Sequence, residues 1–152
     1  MNIFEVKDRT QSLIQHELLE LWEDSVTATH LFLSSNEIKS IKEYVPQALK
    51  LIQHLIILID DNNVLIGFMG INEKRLEMLF IKSSKLKKGF GRTLLMYGIE
   101  KYNINELTVN EENPNARKFY EHRGFKIYQR KELDGQGNKH PILYMKLIMN
   151  DD

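Results

Sequence analysis

A short apolar strand that runs into a glycine-rich turn and a helix limits the folds open to this chain. The strand covers Leu76–Ile81, the basic loop Ser83–Lys88 follows it, and Gly89-Phe90-Gly91 opens a helix predicted over Gly91–Tyr102. Glycines let main-chain N–H groups approach an anion closely, and the positive end of the helix dipole points at the same place. The pattern therefore predicts a strand–turn–helix unit that can hold a diphosphate.

Two familiar phosphate loops do not match this turn. Gly91 is followed by Arg92-Thr93, whereas a Walker loop requires Lys and then Ser or Thr, and Leu94 stands where a Rossmann fingerprint has its third glycine. A Gly-x-Gly sequence also makes tight turns that bind no ligand. The turn by itself therefore leaves a purely structural role open.

A second segment follows the glycine turn and adds polar side chains beside it. Asn113-Pro114 is predicted to start a helix over Asn115–His122, because Asn caps a helix and Pro suits its first turn. Ala116 and Phe119 then face the sheet. Tyr120 lies one helical turn beyond Ala116, so its hydroxyl is expected to reach a cleft beside the strand.

The rest of the chain completes one α/β (α+β) domain, predicted to span residues 1–152. Strands in hairpins, followed by strands that alternate with helices, predict a mixed sheet flanked by helices. The predicted strands are Ile3–Val6, Leu55–Ile59, Val64–Ile71, Leu76–Ile81, Glu106–Val109, Phe125–Lys131 and Ile142–Leu147. The remaining helices are predicted at Ser12–Trp22, from a cap at Ser34 or Ser35 with Glu37 in the first turn, and at Val45–Gln53.

Composition excludes several classes of function. Basic and acidic side chains number 21 each, so the net charge is zero and nucleic acid is not an expected partner. The chain has no cysteine, which excludes disulfides, thiolate metal sites and a cysteine nucleophile. Its histidines show no metal-ligand spacing, so no metal is assigned. The longest apolar run, Leu55–Ile59, is too short to span a bilayer, and Met1–Thr10 does not resemble a signal peptide, so we expect a cytoplasmic protein without a membrane partner.

Two segments together resemble the main motifs of the GNAT superfamily of N-acetyltransferases. They are Leu86-Lys87-Lys88-Gly89-Phe90-Gly91 and the segment from Asn110 to Phe125, which contains Asn113-Pro114-Asn115-Ala116-Arg117-Lys118-Phe119-Tyr120-Glu121. The resemblance implies a GNAT-like fold: a mostly antiparallel sheet in which a bulge splays the fourth strand from the fifth and opens a V-shaped cleft. One position departs from the family, which usually has Arg or Gln where this chain has Leu86.

The resemblance also implies that acetyl-CoA is the co-substrate and that a primary amine attacks its thioester directly. Main-chain groups of Leu79 and Ile81 would bond the pantetheine arm, amides of residues 87 to 93 would hold the diphosphate, and Asn113 would bond the pantetheine from the other side. Tyr120 would protonate the leaving thiolate. The implied coenzyme A contacts are Leu79, Phe80, Ile81, Lys87, Lys88, Gly89, Phe90, Gly91, Arg92, Thr93, Asn113, Ala116 and Tyr120.

Two residues are candidates for the base that deprotonates the amine. Glu77 stands at the start of the splayed strand. His30 is the other candidate, because an imidazole ordinarily titrates close to neutrality. Two non-catalytic roles remain possible. Glu77 could be a solvated carboxylate at the end of a strand, and His30 could be a buried imidazole with a structural role. The resemblance also implies that the acceptor wall follows the first helix. Its candidates are Trp22, Thr29, His30, Phe32 and Leu33, although Trp22 and Phe32 also suit a core.

Three functions fit these motifs. The first is transfer to a protein lysine or a small amine, and the second is acetylation of an aminoglycoside or polyamine. The third is an acyl-CoA-binding sensor without turnover. Dimers are frequent in the family, and a homodimer is compatible with this sequence.

Overall fold

A single mixed sheet organises the protein, which was analysed as a computed structural model that describes residues 1–148. In this part of the chain the sheet has the strand order β1-β2-β3-β4-β5-β7-β6. The strands are β1 (Asn2–Glu5), β2 (His54–Ile59), β3 (Leu65–Asn72), β4 (Arg75–Ile81), β5 (Glu106–Asn110), β6 (Phe125–Lys131) and β7 (Ile142–Leu147). A π-helical segment, Leu13–Leu18, leads into α1 (Leu19–Thr29), and α2 (Ser35–Leu51), α3 (Phe90–Tyr102) and α4 (Pro114–Glu121) follow.

The β4–β5 pair opens soon after it begins. Among the strand pairs of the described residues, this pair alone is parallel, and only Arg75 with Glu106 and Leu76 with Leu107 are in register. Beyond Leu76 the two strands separate. The prediction of a mostly antiparallel sheet with a V between the fourth and fifth strands is confirmed.

A β-bulge lies at the point of separation. On the other edge of β4, Leu76 pairs with Ile71 and Met78 pairs with Gly70, so Glu77 is an extra residue without an opposite partner on β3. Bulges bend a strand and re-aim a side chain, and they are common beside active sites. The extra residue therefore accounts for the divergence of β4 from β5.

The sheet separates two apolar layers. On β2, Leu55 and Ile57 belong to a core that α1 and α2 cover, while Ile56 and Leu58 belong to a core that α3 covers. This alternation follows from the two-residue period of side chains along a strand. Burying one such side chain contributes roughly 1.5–3 kcal/mol, so both faces anchor the sheet that carries the cleft.

The strand predictions agree with the structure to within two residues, but the helices differ in two places. The separate helix predicted over Val45–Gln53 is wrong, because α2 is one helix from Ser35 to Leu51 with Pro46 inside it. An interior proline costs a helix about 3 kcal/mol. Burial of Val45 and Leu49 in the core offsets that cost.

The first helix also extends further than predicted. Helical structure continues past Trp22 to Thr29, because Ser25 and Val26 prolong its buried face. The cap of α2 is confirmed: the Ser34 hydroxyl accepts from the Glu37 amide, and the Glu37 carboxylate accepts from the Ser34 amide. Across residues 1–148, no helix has both the length and the apolar character needed to cross a membrane.

Candidate active site

A cleft of about 830 Å³ occupies the V between β4 and β5. The end of α1 forms one wall together with β4, the start of α3 closes one end, and β5 and α4 form the opposite wall. The volume lies in the range typical of small-molecule sites. Segments that are far apart in the sequence, from Ser25 to Ile142, therefore meet at this cavity.

The edge of β4 that faces the cleft offers backbone hydrogen-bonding groups. The Lys82 amide donates to the Ile66 carbonyl on β3, with the two atoms 2.8 Å apart. Backbone groups of successive residues point to opposite edges of a strand, so those of Phe80 face β3 as well. The amides and carbonyls of Leu79 and Ile81 consequently face the cleft.

The glycine turn presents unpartnered amides at one end of this cleft. Lys87 and Gly89 have φ of 60° and 89°, and Gly89 is the N-cap of α3 without any side-chain cap. In the described residues, no backbone carbonyl accepts from the amides of the first three residues of α3. The fourth amide, that of Thr93, donates to the Gly89 carbonyl at 3.0 Å. The turn thus keeps N–H groups available for an anion over residues 90 to 92.

Positive charge surrounds this turn. Lys85, Lys87, Arg92 and Arg123 line the cleft, and none of them lies within salt-bridge distance of a carboxylate in residues 1–148. Leu86 also lines the cleft, and it packs against the core that α3 covers. The end of the cleft at the glycine turn, where an anion would bind, is therefore positively charged, although Leu86 itself carries no charge.

The basic loop is tied to α1, whose end forms one wall of the cleft together with β4. The Asp24 carboxylate accepts from the backbone amide and the hydroxyl of Ser83, both at 2.7 Å. Asp24 belongs to α1, and Ser83 begins the 3₁₀ turn Ser83–Lys85. These two hydrogen bonds fix the loop after β4 relative to the end of α1.

Helix α4 places a buried phenol in the wall of the cleft. The Asn113 side-chain oxygen caps the helix by accepting from the Ala116 amide at 3.2 Å. Tyr120 is 9% exposed, and its ring centroid lies 5.2 Å from that of Phe119 and 6.1 Å from that of Phe125. Burial raises the pKa of Tyr120, so its hydroxyl stays protonated at neutral pH. The group is a proton donor on a cleft surface.

Glu77 projects from the bulge of β4 into the cleft. Its side chain is exposed, yet desolvation by the surrounding walls raises the pKa of Glu77, an effect that the nearby Arg75 opposes. A raised pKa makes a carboxylate a better proton acceptor near neutrality. Glu77 is therefore a carboxylate at the cleft that holds its proton more strongly than a fully solvated one.

His30 ends α1 on the same wall. It is half-buried, and its ring centroid lies 5.4 Å from that of Phe32 and 6.3 Å from that of Phe80. Burial lowers the pKa of His30, so the imidazole is neutral at pH 7. Its Nδ1 is 2.8 Å from the Thr29 hydroxyl. His30 is a second side chain able to accept a proton in this cleft.

Most of the predicted site residues line the cleft. They are Thr29, His30, Glu77, Leu79, Phe80, Ile81, Lys87, Gly89, Gly91, Arg92, Asn113, Ala116 and Tyr120. Trp22 instead lies in the core under α1 and α2, at 5% exposure. Leu33 packs against that same core. Phe32 lies behind His30, between the rings of His30 and His140.

Three of the residues predicted to contact a cofactor lie outside the cleft lining. Lys88 is exposed, and Phe90 packs against the core. The Thr93 hydroxyl, like its amide, donates to the Gly89 carbonyl. The side chains of Lys88, Phe90 and Thr93 are thus not among those that line the cavity.

Sequence reasoning missed Arg123, which lines the cleft directly after α4. Its guanidinium carbon lies 5.5 Å from the centroid of the Phe119 ring, and Phe119 in turn approaches Gly91 at the glycine turn. The only available signal was a basic residue three positions after Tyr120. That signal is weak, because it requires the turn after α4 to bring the side chain back to the cleft.

Comparison with known proteins identifies the family. A model described as the acetyltransferase (GNAT) domain matches residues 25–147. The chain is 30% identical over 136 residues to the peptidyl-lysine N-acetyltransferase YjaB of Escherichia coli (strain K12), which covers 87% of this chain and 89% of YjaB. The solution structure of the apo form of Escherichia coli YjaB matches with a TM-score of 0.84 at 29% identity, covering 97% of this chain and 99% of YjaB.

A crystal structure of the PaiA N-acetyltransferase of Thermoplasma acidophilum in complex with coenzyme A has the same fold. Its TM-score is 0.68 at 24% identity, and the match covers 96% of this chain and 99% of PaiA. The family match extends over most of the domain and includes β4, the glycine turn and α4. This chain therefore belongs to the GNAT family of acetyltransferases.

Proposed function

We propose that the protein transfers an acetyl group from acetyl-CoA to the side-chain amine of a lysine in a protein. The observation that carries this proposal is the cleft at the V. It combines an open strand edge, a turn with unpartnered amides and a buried phenol. Two relatives support it: PaiA is bound to coenzyme A in its crystal structure, and YjaB carries the name peptidyl-lysine N-acetyltransferase.

The residues of the cleft fit the chemistry of coenzyme A. The pantetheine arm contains amide groups, which can pair with the exposed edge of β4 at Leu79 and Ile81 as an added strand would. The amides of residues 90 to 92 suit a diphosphate. Arg123 adds a cation on the other wall, which compensates for Leu86 at the position where the family usually has Arg or Gln.

Acetyl-CoA supplies the acyl group, and the protein's own side chains move the protons. Glu77 or His30 takes a proton from the ammonium of the acceptor, so that the nitrogen gains a lone pair. A carbon–nitrogen bond then forms as the carbon–sulfur bond breaks, and Tyr120 delivers its proton to the sulfur. The acylated nitrogen loses its second proton, which restores the Tyr120 phenol. The chain has no cysteine that could hold the acyl group as a thioester, which favours direct transfer.

The proposal is tested by thiol release from acetyl-CoA in the presence of defined amines. The substrate is a peptide with a blocked N-terminus and one lysine, and the matched control is the same peptide with arginine in place of lysine. We expect thiol release and a peptide mass gain of one acetyl group with the lysine peptide only.

Two results would contradict the proposal in different ways. Release with spermidine or an aminoglycoside but not with the peptide would assign the enzyme to small polycations. Calorimetric binding of coenzyme A without release to any amine would make the protein a sensor.

A further inference from the structure

The last turn of α1 contains two linked hydrogen bonds that end at His30. The Thr29 hydroxyl oxygen lies 2.7 Å from the Ser25 carbonyl oxygen and 2.8 Å from His30 Nδ1. The backbone amide of His30 also donates to the Val26 carbonyl at 2.8 Å, so the main chain is held at the same place. Both the ring and its backbone are therefore fixed by α1.

The proton count in this pair of hydrogen bonds determines the tautomer of His30. A carbonyl oxygen can only accept, so the single hydroxyl proton of Thr29 lies between its oxygen and the Ser25 carbonyl. The same hydroxyl oxygen has lone pairs left and accepts from the neighbouring ring. His30 Nδ1 must then carry a proton, and the other ring nitrogen, Nε2, has a lone pair in the neutral imidazole.

We propose that Thr29 is a positioning residue that holds His30 with the Nε2 lone pair available to take the proton of the acceptor amine. This inference rests on the proposed function. It assigns Thr29 a role different from the direct contact with the acceptor that its place in the sequence suggests.

The surroundings of His30 suit a neutral base. Phe32 and Phe80 flank the ring, and His30 makes no hydrogen bond to a carboxylate in the described part of the chain. The charged side chains that share the cleft with it are Glu77 on β4, Lys85, Lys87 and Arg92 around the glycine turn, and Arg123 after α4. His140 lies on the far side of Phe32.

The proton transfer balances with these groups. The acceptor ammonium gives one proton to Nε2 of His30, which becomes an imidazolium with N–H at both nitrogens. The amine nitrogen then bonds to the acyl carbon, the bond to sulfur breaks, and Tyr120 protonates the sulfur. The acylated nitrogen gives its second proton to the Tyr120 oxygen, which restores the phenol, and His30 releases its proton to solvent. The Thr29 oxygen accepts from Nδ1 before and after the transfer, so the ring need not rotate. Glu77 is left to attract the ammonium into the cleft.

The direct test is the imidazole spectrum of the whole protein. Long-range ¹H–¹⁵N NMR at about pH 8, where a neutral imidazole is expected, distinguishes a protonated from an unprotonated ring nitrogen. We expect the wild type to show protonated Nδ1 and unprotonated Nε2 at His30, and Thr29→Ser to keep this pattern. Thr29→Val has nearly the same shape but no hydroxyl, and it should shift the ring toward the other tautomer. Protonated Nε2 in the wild type would overturn the inference.

The kinetic test uses the same variants in the thiol-release assay. His30→Gln should lower kcat with the lysine peptide by about 10²-fold or more and remove the acidic limb of the pH–rate profile. Thr29→Val should lower kcat about tenfold with an unchanged KM for acetyl-CoA, and Thr29→Ser should restore most of that loss. Equal rates for Thr29→Val and Thr29→Ser would refute a positioning role.

The two tests separate failure of this inference from failure of the proposed function. A wild-type protein that releases no thiol with any amine contradicts the proposed function, and the NMR spectrum still decides whether Thr29 sets the tautomer. Thiol release by the wild type, together with a His30→Gln variant of normal rate, contradicts only the assignment of His30 as the base.

Discussion

Replacing Tyr120 with Phe should remove activity and leave the fold intact. The Tyr120 hydroxyl makes no hydrogen bond to any group in the described residues, so its loss breaks no contact of the folded chain. We expect the free energy of unfolding to change by less than about 0.5 kcal/mol, or to rise slightly, because an unpaired polar group is no longer partly buried. The fold therefore does not depend on this oxygen.

The same oxygen is expected to be important for the reaction. A positioned general acid contributes roughly 10²–10⁴-fold to a rate. At 1.36 kcal/mol for each factor of ten, the loss corresponds to about 3–5 kcal/mol in the activation barrier. Because burial raises the pKa of Tyr120, the hydroxyl keeps its proton across the neutral range, and the loss should hold throughout that range. Thiol release under saturating acetyl-CoA measures kcat, and calorimetry with coenzyme A should show unchanged affinity.

Tyr102 provides the matched control. It lies at the end of α3, where its hydroxyl donates to the Glu5 carboxylate at 2.8 Å, and it does not line the cleft. Tyr102→Phe should therefore lower the free energy of unfolding by about 1 kcal/mol and leave kcat unchanged. A Tyr120→Phe variant with normal kcat would refute the assignment of Tyr120 as the acid. A variant that loses stability as Tyr102→Phe does would show that its hydroxyl is structural.

Three further changes test the scaffold, each by chemical denaturation. Gly67→Ala should destabilise by about 3 kcal/mol, because its Cβ would lie 2.7 Å from a carbonyl oxygen of β4. Ser34→Ala should cost about 1 kcal/mol through loss of the cap of α2. The carboxylates of Glu112 and Glu37 raise the pKa of His140 above 6.5, so its stabilisation is complete below that value and is lost as the pH rises through the raised pKa. The stability difference between wild type and His140→Gln should thus shrink as the pH rises above about 6.5, and a constant difference would contradict this.

The half of the site that is built from local backbone could be predicted from the sequence. Glycines at 89 and 91, the cap at Asn113 and the proline after it each specify the conformation of their own segment. Tyr120 follows from its spacing on α4, so these residues and β4 appear in the cleft as predicted. Local sequence was sufficient to predict this part of the site, because each motif determines the backbone conformation of its own segment.

The residues around the predicted acceptor wall were harder to place from the sequence, because segments that are distant in the chain meet there. Trp22 was expected on the acceptor wall, but helical structure continues past it and turns its ring into the core. His140, from the segment before β7, reaches the carboxylate of Glu37 at the start of α2 and contacts Phe32. No local pattern relates residues 37, 112 and 140. Their meeting is a result of tertiary packing, which sequence periodicity does not report.

The bulge in β4 links the two halves of the site. The run from Leu76 to Ile81 is almost entirely apolar, and no residue in it signals an irregular strand. One extra residue, Glu77, nevertheless ends the pairing with β5 and exposes the strand edge that suits a pantetheine arm. The same residue projects a carboxylate into the cavity at that point. The open strand edge and the carboxylate at the cleft thus arise from one local insertion, so a change that restored regular pairing along β4 would remove both together.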